Sequence, residues 1–307
     1  MTNLYLVFNR EEWANLGHSI PLHLSNEQFG KLKNINSGLS INEITEIYLP
    51  LLYLLNYFIK SNNYHHKIIG NFLGNKIKKI PYIIGISGGV AVGKSTIANL
   101  LQVLLKQWYT KNNVELITTD SFLYPNKILI KKGLMEKKGF PQSYDVCRLI
   151  KFLSDLKSGV EVISPIYSHI IYDIVPKKNK IIKQPDILII EGLNLLQSTP
   201  KYSFGSQIFI SDFINCSIYV DAVEALLKNW YISRFLKFRE NAFTYSNSYF
   251  HNYINISKKE TIKIAKNFWQ KINGLNLKEN ILPTKRRANI ILTKTKDHSI
   301  NLVSLRK

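Results

Sequence analysis

Cysteine is scarce: Cys147 and Cys216 are the two present in 307 residues. They lie far apart and match no metal-ligand spacing, which excludes a disulfide framework and leaves two buried thiols in a reducing compartment as the expectation. Long hydrophobic runs are lacking too. The longest, residues 47–59, contains Pro50 and Asn56 and is too short to span a bilayer, so it reads as a buried helix. The first turns carry Arg10, Glu11 and Glu12 and hold no apolar signal-peptide core. These absences point to a cytoplasmic protein with no membrane partner. Acidic residues are few, 21 against 41 lysines and arginines, for a formal charge of +20. The lysines are nevertheless scattered in ones and twos, with no basic tail and no aromatic-interleaved stripe, which argues against a nucleic-acid partner. Heavy use of isoleucine, asparagine and lysine is the bias an AT-rich genome imposes. The positive field still favours small phosphorylated ligands.

What is present is an ordinary globular composition, 45% hydrophobic, enough for one large α/β domain or two small ones. No internal repeat or low-complexity segment is visible. The first eighty residues show no clear strand but two helix starts, Ser25 to Gln28 and Ser40 to Glu43, each with a hydroxyl three residues before Glu or Gln. Residues 1–79 are therefore expected to form a helical extension packed on a core of residues 80–307. From Ile80 the rhythm becomes strand, loop, helix. Strands are expected at 82–87, 114–119, 187–190, 216–220 and 288–293, helices at 95–108 and 146–157, and a β-rich excursion at 162–175. Helices should dominate between Ala222 and Asn273. Short continuous apolar strands alternating with helices predict a mostly parallel sheet covered on both faces, with a helical, aromatic C-terminal lid.

One segment carries explicit chemistry. Gly88, Gly89, Val90, Ala91, Val92, Gly93, Lys94 and Ser95 follow the first core strand directly and match the phosphate-cradling pattern G-x-x-x-x-G-K-[ST]. Glycines let the backbone curl around an anion so that successive N–H groups form a nest. Lys94 reaches the β- and γ-phosphates, Ser95 supplies a hydroxyl to Mg²⁺, and the helix that follows turns its positive end toward the phosphates.

Ligands of an open parallel sheet lie beyond the carboxyl ends of its strands, and three expected strands end there in an acid: Asp120, Glu191 and Asp221. Glu191 is either a second Mg²⁺-organising carboxylate or a helix N-cap acid. Asp120 is either a base facing the γ-phosphate, if its strand lies beside the phosphate-loop strand, or a turn-forming residue before Ser121. Asp221 is expected to cap the helix after it. Tyr231, Arg234 and Phe238, at i, i+3 and i+7, share one helix face and supply either a pocket wall with an arginine for transition-state charge or a packing face.

With these residues, the chain resembles the bacterial type I pantothenate kinases, within the wider group of phosphoribulokinase- and uridine-kinase-like enzymes. The resemblance is carried by residues 81–88 leading into 90–96, by 115–120, by Lys138-Gly139-Phe140-Pro141, Tyr167-Ser168-His169 and residues 235–240, and by 276–284 near the C-terminus. It runs from near Tyr5 to Lys307, with short length changes around 160 and 200. The resemblance implies phosphorylation of pantothenate to 4′-phosphopantothenate by ATP and Mg²⁺, the opening step of coenzyme A synthesis. It implies that the loop, with Lys94, Ser95 and Thr96, holds ATP phosphates and Mg²⁺, that Asp120 is the base, and that Arg234 stabilises the transferring phosphoryl group. Tyr167, His169, Tyr172, Tyr231, Tyr249, Tyr253 and Asn273 would line the pantothenate site, with Phe235 and Phe250 against its apolar part. Lys33, His169 and Phe238 match positions that bind coenzyme A as a feedback inhibitor. Local sequence reads His169 instead as a hydrogen-bonded core imidazole. Two departures stand out: Asn99 where the family often has a basic residue, which puts feedback in doubt, and Gly89 in place of a serine. A homodimer is also implied, through the helix after the phosphate loop, whose apolar positions could equally be core. The rival readings are a uridine- or phosphoribulose-type kinase and a non-catalytic module that binds coenzyme A or ATP.

Overall fold

The computed structural model describes residues 4–17, 40–74, 79–109, 113–198, 208–240, 249–251 and 255–307. The chain opens with β1 (Tyr5–Asn9) and α1 (Arg10–Asn15), then runs through a π turn at Ile44–Tyr48 into the long α2 (Leu49–Phe72). The core follows as β2 (Tyr82–Gly88), α3 (Lys94–Trp108), β3 (Val114–Thr118), α4 (Asn126–Lys131) and α5 (Val146–Lys157). A hairpin of β4 (Val162–Ser168) and β5 (Asp173–Ile182) precedes β6 (Ile187–Glu191) and β7 (Cys216–Asp221). Last come α6 (Glu224–Glu240), α7 (Lys258–Phe268), β8 (Ile290–Lys294) and β9 (Ile300–Arg306).

Seven strands form one sheet in the order β3-β6-β2-β7-β8-β9-β1, parallel from β3 to β8 and antiparallel at β9 and β1. Every residue of β2 is buried, as are Ile187 to Ile190 and Cys216 to Val220, because helices cover both faces. One face receives α3, which inserts Ile97, Ala98, Leu100, Leu101, Leu104 and Leu105 into the core of this chain. Those positions, open in the sequence between core and dimer contact, are core. The 47–59 stretch is a buried helix as expected, with Ile47, Leu51, Leu52, Leu55 and Ile59 almost inaccessible. Among the described residues no helix is long and apolar enough to cross a membrane.

Several expectations are corrected. The N-terminal region is helical but also supplies β1, an edge strand that leaves Leu6 and Val7 exposed and so lacks the in-and-out pattern a sequence reading relies on. The strand expected at 288–293 is not the last; β9 follows and separates it from β1. Ser40 accepts from the Glu43 backbone N–H at 3.0 Å, but the Glu43 carboxylate does not return to Ser40. It is buried, pairs with Arg10 and accepts from the Ile300 N–H at 2.9 Å, tying the N-terminal turns to β9. The companion start at Ser25 lies outside the described residues. Of the two thiols only Cys216 is buried, and burial pushes it up to about 12; Cys147, near the start of α5, is exposed. Asp221 does not cap a helix: α6 begins three residues later, and the Asp221 carboxylate pairs with Lys285.

A half-buried cation without a described carboxylate partner braces the amino end of the central strands. Lys157, from the last turn of α5, donates to Pro81 O at 3.0 Å and to Asn215 Oδ1 at 2.7 Å, while the Asn215 amide donates to Asn62 on α2 at 3.1 Å. Burial lowers its pKa to about 8. The unfolded chain keeps this proton to about 10.4, so between those values the unfolded state binds more protons and stability rises with pH. Raising pH from 7.5 to 9.5 should therefore stabilise the protein more than its Lys157→Met variant, by about 1 kcal/mol once partial solvent access is discounted. Urea midpoints of both proteins at the two pH values check this; equal pH responses would contradict it.

Candidate active site

The phosphate loop is built as the sequence pattern requires. Gly88 closes β2 at φ +145°, and a Cβ there would lie 2.3 Å from the Val220 carbonyl oxygen of β7, so only glycine lets the two strands stay paired at this point. Ala91 at φ +63° and Gly93 at φ +96° turn successive amides to one side before α3 starts at Lys94. Lys94 folds back over the loop and donates to Gly89 O at 2.9 Å. Burial lowers its pKa, opposed by the charges of Glu191 and Asp120. Gly89, the second departure, faces Leu227 across a gap that would leave an added Cβ 3.0 Å away. Thr96 sits half-buried in the first turn of α3.

Glu191 ends β6 beside this helix, and the Ser95 hydroxyl donates to its Oε1 at 3.2 Å. Burial raises the Glu191 pKa and Lys94 opposes it. No helix starts at Glu191, so the N-cap alternative falls away. A hydroxyl and a carboxylate touching at the mouth of an anion nest form an all-oxygen donor pair of the kind Mg²⁺ accepts when phosphate and water complete its shell. Among the described residues there is no cluster of three or more His, Cys, Asp or Glu, so no all-protein metal cage competes with that arrangement.

Asp120 follows β3 in a 3₁₀ turn, Thr119–Phe122. Its strand is not beside the phosphate-loop strand, since β6 lies between them. The carboxylate still reaches the loop's edge: Asp120 and Val90 line one cleft of about 280 Å³, and Asp120 contributes to the electrostatics of Lys94 and Arg234. The turn alternative thus describes the backbone, while the side chain lies in the cleft.

That cleft collects side chains spread along the sequence. Tyr167, His169 and Tyr172 come from the β4–β5 hairpin, Tyr231, Arg234, Phe235 and Phe238 from α6, Tyr249 and Phe250 from the segment after it, and Asn273 from the π turn after α7. The rings interlock, with Tyr172 5.2 Å from Tyr249 and 5.3 Å from Phe250 between centroids. Burial raises the Tyr167, Tyr172 and Tyr231 phenols above their ordinary value, so all three present protonated hydroxyls to a ligand. Arg234 opens to solvent through the cleft mouth, its guanidinium 5.7 Å from the centre of the Phe238 ring. His169 is not a core imidazole. It lies at the cleft wall with its ring edge-on to Tyr167, and desolvation together with Arg234 and Lys138 lowers its pKa against the pull of Asp120. Tyr253 and Lys33 lie outside the described residues. Asn99 is exposed on α3 and donates to Ser95 O at 2.8 Å.

Two lysines escaped the sequence reading. Lys138 is buried in the cleft wall, where its ammonium donates to Asn126 Oδ1 at 2.6 Å and to Tyr172 O and lies 4.1 Å from the Tyr172 ring centre. Burial lowers it to about 8, with Asp173 and Asp120 opposing. Its place in the Lys138-Gly139-Phe140-Pro141 motif was the available signal. Lys294, at the end of β8, stands against the phosphate loop, since a Cβ on Gly93 would lie 2.9 Å from its Nζ. Burial holds it at about 8 as well, opposed by Glu43. Nothing in the local sequence marks it.

A parallel sheet with an anion nest at its carboxyl edge, a flanking acid pair and an aromatic acceptor cleft defines a P-loop phosphotransferase. The comparisons with known proteins agree. The Phosphoribulokinase / Uridine kinase family model matches residues 83–262. Pantothenate kinases from Yersinia enterocolitica and Klebsiella pneumoniae are each 57% identical over 305 residues, covering 99% of this chain and 96% of theirs. A D-glycerate 3-kinase from Cryptococcus neoformans var. grubii shares the fold, with TM-score 0.53 at 13% identity over 83% of this chain and 99% of that one. The chain belongs to the phosphoribulokinase/uridine kinase family and, within it, to the pantothenate kinases. Gly88→Ala should weaken ATP binding at least tenfold and lower the thermal midpoint, because the added methyl collides with the Val220 carbonyl; nucleotide titration and a melting curve check both.

Proposed function

We infer that the protein transfers the γ-phosphoryl group of ATP to the primary hydroxyl of pantothenate, giving 4′-phosphopantothenate and ADP at the entry to coenzyme A synthesis. The observation that carries this reading is the position of Asp120, in one cleft with Arg234 and the phosphate loop and beneath a lid of protonated phenols. The loop amides and Lys94 hold the nucleotide phosphates. Ser95 and Glu191 would hold Mg²⁺, which would supply neutralisation of phosphate charge there. Catalysis is then mainly positioning and electrostatics: Arg234 and Lys94 face charge on the transferring group, and Asp120 takes the acceptor proton as the new bond forms. Asn273, hydrogen-bonded to Tyr231, together with Tyr167, Tyr172, Tyr249 and His169, offers polar contacts to the acceptor, while Phe235 and Phe250 close on its apolar part.

Phe238 and His169 share this cleft, so coenzyme A bound there would exclude the substrates, in line with feedback inhibition. The Asn99 amide brings no charge to that site and is engaged by its own helix, which should leave coenzyme A binding weak. A homodimer would need a surface other than the six α3 side chains spent on the core.

A panel of hydroxyl acceptors with labelled ATP tests the assignment: label should pass to pantothenate and not to uridine or ribulose 5-phosphate, and the reverse would favour the rival kinases. Asp120→Asn should cost at least two decades of kcat with ATP affinity near normal. Arg234→Ala should lower kcat more than it raises either KM. Undiminished turnover in the first variant would remove Asp120 as base.

A further inference from the structure

The carboxylate assigned as base is gripped from behind. Tyr144 is buried, 6% exposed, and its hydroxyl donates to Asp120 Oδ1 at 3.1 Å. Burial, and then the charge of Asp120, raises the phenol well above its ordinary value, so it remains a neutral donor across the working pH range. Its backbone is fastened to the turn that carries Asp120. Leu123 and Tyr144 form an antiparallel bridge, Tyr124 N–H donates to Ser143 O at 3.0 Å, and Asp145 N–H donates to Phe122 O at 2.8 Å.

The segment leading to Tyr144 is itself tightly held. Ser143 is fully buried; its hydroxyl accepts from Gly139 N–H at 2.9 Å and donates to Phe140 O at 2.7 Å. The side-chain amides of Asn194 and Asn276 both donate to Gly139 O at 2.9 Å. Asn276 lies just beyond the π turn that carries Asn273, so one loop links the base's turn to the acceptor wall.

A general base works only if one carboxylate oxygen stays free and aimed at the proton it takes. The charged groups that bear on Asp120 include Lys94, Lys138, Arg234, Glu191 and His169, and the cations among them sit on long, rotatable stems. Arg234, open at the cleft mouth, could swing the carboxylate into an ion pair. A phenol on a doubly anchored loop cannot follow such motion. We propose that Tyr144 is a positioning residue for phosphoryl transfer: its hydroxyl holds Oδ1 of Asp120 and so reserves Oδ2 for the acceptor hydroxyl. The inference rests on Asp120 being the base.

A double-mutant cycle tests it. Tyr144→Phe keeps the ring and removes only the donor. It should lower kcat about tenfold with the KM for pantothenate and for MgATP within about twofold of wild type. In the Asp120→Asn background the same change should alter the residual kcat by less than about twofold, because there is no longer a base to aim. A similar tenfold loss in both backgrounds, an unchanged kcat in the wild-type background, or an effect confined to KM would each overturn the proposal. These outcomes are separate from failure of the base assignment, which Asp120→Asn alone would reveal by keeping full turnover.

Discussion

The passage of the Gly88 backbone against the Val220 carbonyl is the contact on which the rest of the structure turns. It closes the pairing of the two central parallel strands at the point where the chain must leave the sheet and curl into an anion nest. A side chain there would separate the strands or push the loop away from them, and the helix that begins at Lys94 would no longer aim its first amides at the sheet edge. Everything chemical in the molecule is measured from that corner. Glu191 ends the neighbouring strand on one side, Lys294 ends the next strand but one on the other, and the cleft opens in front.

Desolvation shapes the charges around this corner in a way that suits anionic substrates. Lys94, Lys138, Lys294 and Arg234 are opposed by Glu191, Asp120, Asp173 and Glu43, and desolvation lowers the pKa of each cation. Partly desolvated cations are costly in the empty protein, and that cost is relieved when anionic phosphates arrive. The same low-dielectric setting raises Glu191 and the phenols, so the cleft meets its ligands with neutral hydrogen-bond donors in the lid and positive charge at the floor. Aromatic interlock among Tyr172, Tyr249 and Phe250 gives the lid its shape without adding charge.

How much of this could be read from the chain differs by residue. The strand, loop and helix around Lys94 were plain because the motif is contiguous and its function depends on local backbone geometry. Helix α5 matched its expected limits because Leu149, Phe152, Leu153 and Leu156 repeat at helical spacing on one buried face. β1 and β9 were missed because the first leaves two apolar residues exposed, and pairing between the two ends of the chain leaves no local trace. Asp120 was singled out on the premise that its strand adjoined the phosphate loop. The premise failed and the residue still reached the site, since the carboxyl ends of all the parallel strands lie along one edge.

The sequence by itself determined the anion nest and the parallel α/β class, because each is encoded in short stretches whose spacing constrains the backbone directly. Only the tertiary structure decided that β6 separates β3 from β2, that Asp221 pairs with Lys285, that Lys138 and Lys294 join the site, and that Tyr144 grips Asp120. Those facts depend on contacts between segments far apart along the chain. Such contacts are selected by total burial and hydrogen-bond satisfaction across the whole fold, which no local pattern records.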